Sequence, residues 1–160
     1  MIYSILKRFM DIIFSSFALI ILVPLFIPIM IVLRFSAEGE IFYTQRRIGY
    51  QNKEFSIIKF TTMLKNSLNM GTGSITLRDD PRVTKPGIFL RKTKLNEVPQ
   101  LINVFIGDIS IVGPRPILES DFKLYSTDVQ DKIYKVKPGL TGIGSIVFRD
   151  EEELLSRDEV

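Results

Sequence analysis

Glu97 stands among cations: Arg91, Lys92 and Lys94 precede it, and Arg115 follows within the stretch from Asp79 to Pro116. Guanidinium and ammonium groups grip phosphate oxygens, arginine in pairs, while a carboxylate beside them can act as nucleophile, base or metal ligand. The chain contains neither Cys nor His. That excludes disulfides, thiolate zinc sites, a cysteine nucleophile and a histidine base, so the chemistry falls to carboxylates, hydroxyls and amines. Val98, Leu101, Ile102 and Phe105 recur at i, i+3, i+4 and i+7, which predicts an amphipathic helix beginning near Glu97. Asn96 is its natural N-cap, and Pro99 falls in the first turn, where a missing N–H costs little. Such a helix start would add unpaired N–H groups and a positive dipole to the phosphate site. The competing reading is an ordinary capped surface helix behind a basic segment.

These residues need elements to hold them. From Ile12 to Leu33 the chain is apolar except for Ser15, Ser16 and two prolines, Pro24 and Pro28, long enough as a helix to cross about 30 Å of hydrocarbon. Lys7-Arg8 precede this run and Arg34 follows it, so flanks of one sign do not favour a crossing. A signal peptide is argued against by the length of the run, its core prolines and the lack of a small-residue cleavage site. A straight span and a helix that bends at Pro24 to return to the same face both remain. Beyond Arg34, Ile41 to Tyr43 and Phe55 to Phe60 predict a β-hairpin turning through Gly49 to Lys53. Asn66 to Ser74 is polar and glycine-bearing and reads as a loop.

Asp79-Asp80-Pro81-Arg82 reads as a turn, with tandem carboxylates too weak a pattern for a metal site. Val83 to Thr93 predicts a short amphipathic helix able to rest in the headgroup layer with Ile88, Phe89 and Leu90 turned to lipid. Arg115 lies between two prolines after Gly113, a rigid turn that orders its side chain cheaply. With Arg91 it is the best candidate to hold phosphate or nucleotide, against a capping or salt-bridging role. Asp108 reads as a turn acid. Ile117 to Val136 predicts two short helices around Ser126, ended by Lys137-Pro138-Gly139. Basic residues outnumber acidic ones roughly two to one up to Arg115, and the balance reverses afterwards. An anionic membrane or a phosphorylated ligand suits that asymmetry; a nucleic-acid partner is not expected, since no reading motif accompanies the charge.

Along nearly the whole chain stand, in order, Lys7-Arg8 with Asp11, Gln45 with Arg47 and Gly49, Lys59-Phe60 with Met63, Asp80-Pro81-Arg82, Leu90-Arg91-Lys92, and Glu97 with Pro99-Gln100. Gly107-Asp108, Gly113-Pro114-Arg115-Pro116, and Pro138-Gly139 with Thr141-Gly142 complete the series. Together they resemble the signature of the small monotopic phosphoglycosyl transferases, bacterial sugar transferases that act on polyprenyl phosphate. The resemblance implies transfer of a phosphosugar from a UDP-sugar to polyprenyl (undecaprenyl) phosphate with release of UMP, the first membrane step of glycan assembly. It implies Mg²⁺ as cofactor and a bilayer as partner, on the cytosolic face of the bacterial inner membrane. An Asp-Glu pair carries that reaction, the aspartate attacking the β-phosphate; here the pair reads Asn96-Glu97. A neutral amide is a poor nucleophile and a weaker magnesium ligand. Either Glu97 supplies the carboxylate in an altered geometry, or Asn96 was introduced to silence the enzyme, or the chain is a homologue of reduced or different activity, in the extreme a silent one that binds nucleotide sugar or lipid phosphate.

The resemblance adds Lys59 and Arg149 as ligands of substrate phosphate, although Lys59 alone would read as a solvated strand residue. Other departures are Val23-Pro24 for a Ser-Pro break, Thr61 for an arginine, and Ile143-Gly144 where a tryptophan is usual. The acidic tail, Glu151 to Val160, ends without an aromatic segment, as a truncated chain would. The expected fold is α+β: a Pro-broken re-entrant membrane helix over residues 1–35, then a membrane-surface catalytic unit over 36–160 with a β-hairpin and amphipathic helices. Assembly with a second copy stays open.

Overall fold

The computed structural model describes residues 2–36, 39–70, 76 and 80–144. It is an α+β arrangement opened by α1, Ile2–Arg34, a single apolar helix. Ser15 and Ser16 cause no break, because their hydroxyls donate back to the carbonyls of Asp11 (2.6 Å) and Ile12 (2.7 Å). Helical structure also continues through Pro24 and Pro28, so any turn of the chain at Val23-Pro24 is a bend within the helix and not a gap in it. Each proline deletes one donor, but the rest of the ladder remains and an apolar run offers the backbone no other partners.

The hairpin forms as the two β-rich runs predict, with β1, Phe42–Ile48, antiparallel to β2, Glu54–Phe60, and Tyr43 opposite Lys59. Gly49 opens the turn, where a Cβ would sit 2.7 Å from the Phe55 ring. The loop reading of Asn66 to Ser74 holds where the chain is described, apart from one 3-10 turn, Ser67–Asn69. Asp80 and Arg82 then form a buried ion pair (2.6 Å), and Arg82 also donates to the carbonyls of Ser67 (2.8 Å) and Met70 (2.7 Å). The turn reading of this segment holds, since Arg82 occupies the Asp80 carboxylate.

α2, Lys85–Lys92, starts where the Thr84 hydroxyl accepts from Gly87 N–H (3.1 Å). Its Ile88 and Phe89 are 58% and 60% exposed, while Leu90 turns inward. A 3-10 turn, Leu95–Glu97, leads to α3, Gln100–Ile106. The rest comprises β3 (Ser110–Val112), α4 (Glu119–Phe122), α5 (Thr127–Ile133) and β4 (Gly139–Thr141). β3 and β4 pair in parallel, with Ser110 opposite Gly139. The two helices around Ser126 are those the spacing predicts.

Two apolar clusters hold these pieces together. Phe26 and Leu33 of α1 bury against Phe60 and Leu90, with the Phe26 and Phe60 rings edge to face at 5.3 Å. Ile48, Phe122 and Tyr134 form the second. The other end of α1 docks through polar contacts. The Asp11 carboxylate accepts from Ser110 Oγ (2.8 Å) and Ile111 N–H (3.0 Å), and the Arg8 guanidinium donates to the carbonyls of Val104 and Phe105, both at 2.7 Å. Both ends of the apolar helix therefore rest on the unit that follows it.

Candidate active site

Lys59 is fixed by the strand that carries it. Asn103 of α3, 1% exposed, hangs β2 on that helix: its Oδ1 accepts from Ile58 N–H (3.0 Å), and its Nδ2 donates to the Ser56 carbonyl (2.8 Å) and to Asp108 Oδ2 (3.0 Å). An amide supplies one acceptor and two donors, so it pairs with the strand edge much as a neighbouring strand would. Asp108 is the structural acid its turn position suggests.

Glu97 reaches Lys59 from the 3-10 turn. After α2, Lys94 takes left-handed backbone angles (φ 58°, ψ 12°), uncommon for a residue with a Cβ, and redirects the chain towards β2. Successive short-range bonds follow, from the N–H groups of Glu97, Val98, Leu101 and Ile102 to the carbonyls three residues back. Two expectations are corrected here. Asn96 does not cap α3, which starts at Gln100 with Pro99 at the cap position and no side-chain cap. The tight turn also spends those N–H groups on carbonyls, so they are not left open to an anion as the N–H groups at a helix start would be.

The Lys59 ammonium lies 2.7 Å from Glu97 Oε1, the two side chains being 21% and 38% exposed. Burial opposes ionisation of Glu97, but the charge and hydrogen bond of Lys59, with Arg115 and Lys94, outweigh it and hold the carboxyl below the ordinary value of 4.5. Burial lowers Lys59 below 10.5 against the pull of Glu97, and Arg47 and Arg115 push the same way as burial. Arg47 is lowered first by burial and then by Arg115. One carboxylate thus sits within a cluster of cations whose excess positive charge suits a polyanion.

Of the residues anticipated, Lys59, Glu97 and Arg115 share this cluster, and Asn96 adjoins it. Asn96 is buried, and its Oδ1 has no hydrogen-bond partner among the described residues. Arg91 lies in the last turn of α2, half-buried, on the helix that packs against the 3-10 turn. Arg149 lies outside the described residues, as does the acidic tail. Arg47 is the residue the sequence reading passed over. Its guanidinium donates to Gln45 Oε1 (2.6 Å), and its Nε is buried without a partner among the described residues. The signal was the Gln45-x-Arg47 spacing, which puts both side chains on one face of a strand.

The donor set for a divalent ion is one carboxylate, Glu97, beside the orphaned Asn96 Oδ1. No group of three or more His, Cys, Asp or Glu able to hold a metal occurs among the described residues. That fits magnesium, which commonly binds through one or two carboxylates with substrate phosphates and water completing its shell.

The family model described as "Bacterial sugar transferase" matches residues 2–159. The exopolysaccharide production protein ExoY of Sinorhizobium fredii is 38% identical over 165 residues, covering 94% of this chain and 73% of that protein. The UDP-glucose:undecaprenyl-phosphate glucose-1-phosphate transferase of Escherichia coli is 37% identical over 157 residues, 96% of this chain and 34% of its own. The undecaprenyl-phosphate galactose phosphotransferase of Salmonella typhimurium is 37% identical over 169 residues, 95% of this chain and 34% of its own. Matched from α1 to beyond β4, the chain belongs to the bacterial sugar transferase family.

Proposed function

We propose that this chain transfers a phosphosugar from a UDP-sugar to undecaprenyl phosphate, releasing UMP, and that Glu97 is the carboxylate that carries the transfer. The observation behind this reading is the placement of Glu97, kept ionised and partly exposed beside Lys59, with Arg115, Arg47 and Lys94 around it. The diphosphate of the donor competes with Glu97 for Lys59 and for the arginines, which frees the carboxylate as substrate binds. A Glu97 oxygen attacks the β-phosphorus, and the bond from that phosphorus to the bridging oxygen breaks, so UMP leaves with the electron pair. A phosphate oxygen of the polyprenyl phosphate then takes the phosphosugar and returns Glu97 as a carboxylate. Splitting one displacement into two easier ones is the advantage of a carboxylate nucleophile. Glu97 and the Asn96 Oδ1, together with the donor's diphosphate, would hold magnesium, which would supply charge neutralisation there.

With a neutral amide at position 96, transfer that rests on Glu97 should be slow. Incubation with a panel of UDP-sugars, undecaprenyl phosphate and Mg²⁺ tests it. Release of UMP that depends on the lipid phosphate supports the reading, and tight binding of UDP-sugar with no UMP from any donor contradicts it.

The same proposal places α1 in the cytosolic leaflet, entering and leaving on one face. It rests on the docking of both Asp11 and Leu33 onto one unit, and on the cations at both flanks. Exposed Ile88 and Phe89 on α2 would meet the same interface. Single cysteines at Tyr3 and Gly39 should label from the same side in intact cells; labelling from opposite sides would contradict this topology.

A further inference from the structure

Arg115 stands on a turn with neither helix nor strand beneath it, so something else must hold it. The Gly139 N–H ties the carbonyl of Pro114 (2.9 Å), and the Ile48 N–H ties the carbonyl of Ile117 (2.9 Å). Between those ties, Pro116 has no N–H to give. The hydroxyl of Tyr134 holds the backbone of Arg115 itself. That hydroxyl donates to the Arg115 carbonyl (2.8 Å) and accepts from the Ile117 N–H (3.1 Å), bridging both sides of Pro116. Tyr134 is 1% exposed, at the end of α5, its ring stacked on Phe122 at 6.0 Å. Its own carbonyl accepts from Gln51 N–H (2.9 Å) in the hairpin turn.

We infer that Tyr134 is a positioning residue for the donor substrate: its hydroxyl sets the Pro114-Arg115-Pro116 turn so that the Arg115 guanidinium meets the phosphates of a uridine diphosphate. The inference rests on the proposed phosphate role of Arg115. Burial raises the Tyr134 hydroxyl above its ordinary value, the Ile117 N–H opposing, so it keeps the proton it donates throughout the neutral range. Tyrosine at this position thus serves two ends at once, since its ring fills the second apolar cluster and its oxygen fixes a turn on the site's wall.

The test is a double-mutant cycle on UDP binding in the presence of Mg²⁺, measured calorimetrically on the detergent-solubilised full chain. Tyr134→Phe keeps the ring and its stacking and removes one oxygen. It should weaken UDP binding about three- to tenfold, the span expected from losing a hydrogen-bonded anchor worth about 1 kcal/mol. In an Arg115→Ala background the same substitution should change affinity less than twofold, because a residue that acts through another has nothing left to position. Thermal unfolding should shift equally in both backgrounds, which separates positioning from stability. Binding that Tyr134→Phe leaves unchanged, or weakens equally with and without Arg115, would overturn the inference alone. Failure of the unsubstituted chain to bind UDP would overturn the phosphate reading of the cluster, and the inference with it.

Discussion

Asn103→Ala perturbs the fold and the site through one side chain. The amide makes three hydrogen bonds, with Ile58 N–H, the Ser56 carbonyl and Asp108, inside a position 1% exposed. Each is worth about 1 kcal/mol net, and a buried group left unsatisfied costs about 1–3 kcal/mol. Removing the amide takes away the bonds to Ile58 N–H and the Ser56 carbonyl together, so the loss should be about 3–4 kcal/mol. For a chain of this size that is a fall in Tm of about 10 °C. Thermal unfolding of the purified chain in detergent, followed by far-UV circular dichroism, reads it. Hydrogen exchange at Ile58 adds a local readout, since that amide should lose protection ahead of the rest of β2. Because Lys59 follows Ile58, donor binding should weaken at temperatures where the variant is still folded. A Tm within about 2 °C of the parent, with Ile58 still protected, would refute the claim that Asn103 hangs the hairpin on α3.

Three further outcomes follow from the same contacts. Asp11→Asn keeps one acceptor oxygen but turns an amide NH₂ towards the donors Ser110 and Ile111, which should cost about 2 kcal/mol and expose the α1 docking face to limited proteolysis; unchanged cleavage would count against the anchor. Glu97 has its carboxyl held below 4.5 in the folded chain, so the stability it contributes is fully present above pH 4.5 and is lost as the pH falls through the lower folded value. The difference in Tm between the parent and Glu97→Gln should therefore persist from pH 7 to 4.5 and shrink below it; a difference that widens on acidification would show the opposite sign of shift. A Cβ at Gly113 would collide with the Lys137 carbonyl and Gly139 N–H, so Gly113→Ala should part β3 from β4 and lower Tm by several degrees, whereas an unchanged Tm would mean that the two strands are less tightly paired.

What could be read from the sequence was whatever is local. The apolar run of α1, the β-rich runs of the hairpin and the amphipathic stretch from Val83 to Thr93 that holds α2 each depend on neighbours within a few residues, and each appears in the structure. Asn96-Glu97 shows how a local signal fails. Asn before Glu is a good cap pattern, but the i→i+3 bonds from Lys94 to Ile102 use the N–H groups a cap would serve. Long-range partners were out of reach. Nothing near Asn103 announces Ser56 or Ile58, and nothing near Asp11 announces Ser110. The parallel pairing of β3 with β4 joins two three-residue strands, too short for any periodicity to register. The site was legible as a list of charges through the family resemblance, yet the pairing of Lys59 with Glu97 and the place of Arg47 needed three dimensions.

The central claim is that Glu97 does the work a neutral residue at position 96 cannot. The measurement that meets it most directly is UMP release from UDP-sugar with undecaprenyl phosphate and Mg²⁺, compared across the parent chain, Asn96→Asp and Glu97→Gln. The parent should release UMP slowly and only with the lipid, Glu97→Gln should release none above background, and Asn96→Asp should gain about 10²-fold or more, the scale of supplying a placed catalytic group. Release by Glu97→Gln at the parent's rate would contradict the claim, because the transfer would then owe nothing to the one carboxylate in the cluster.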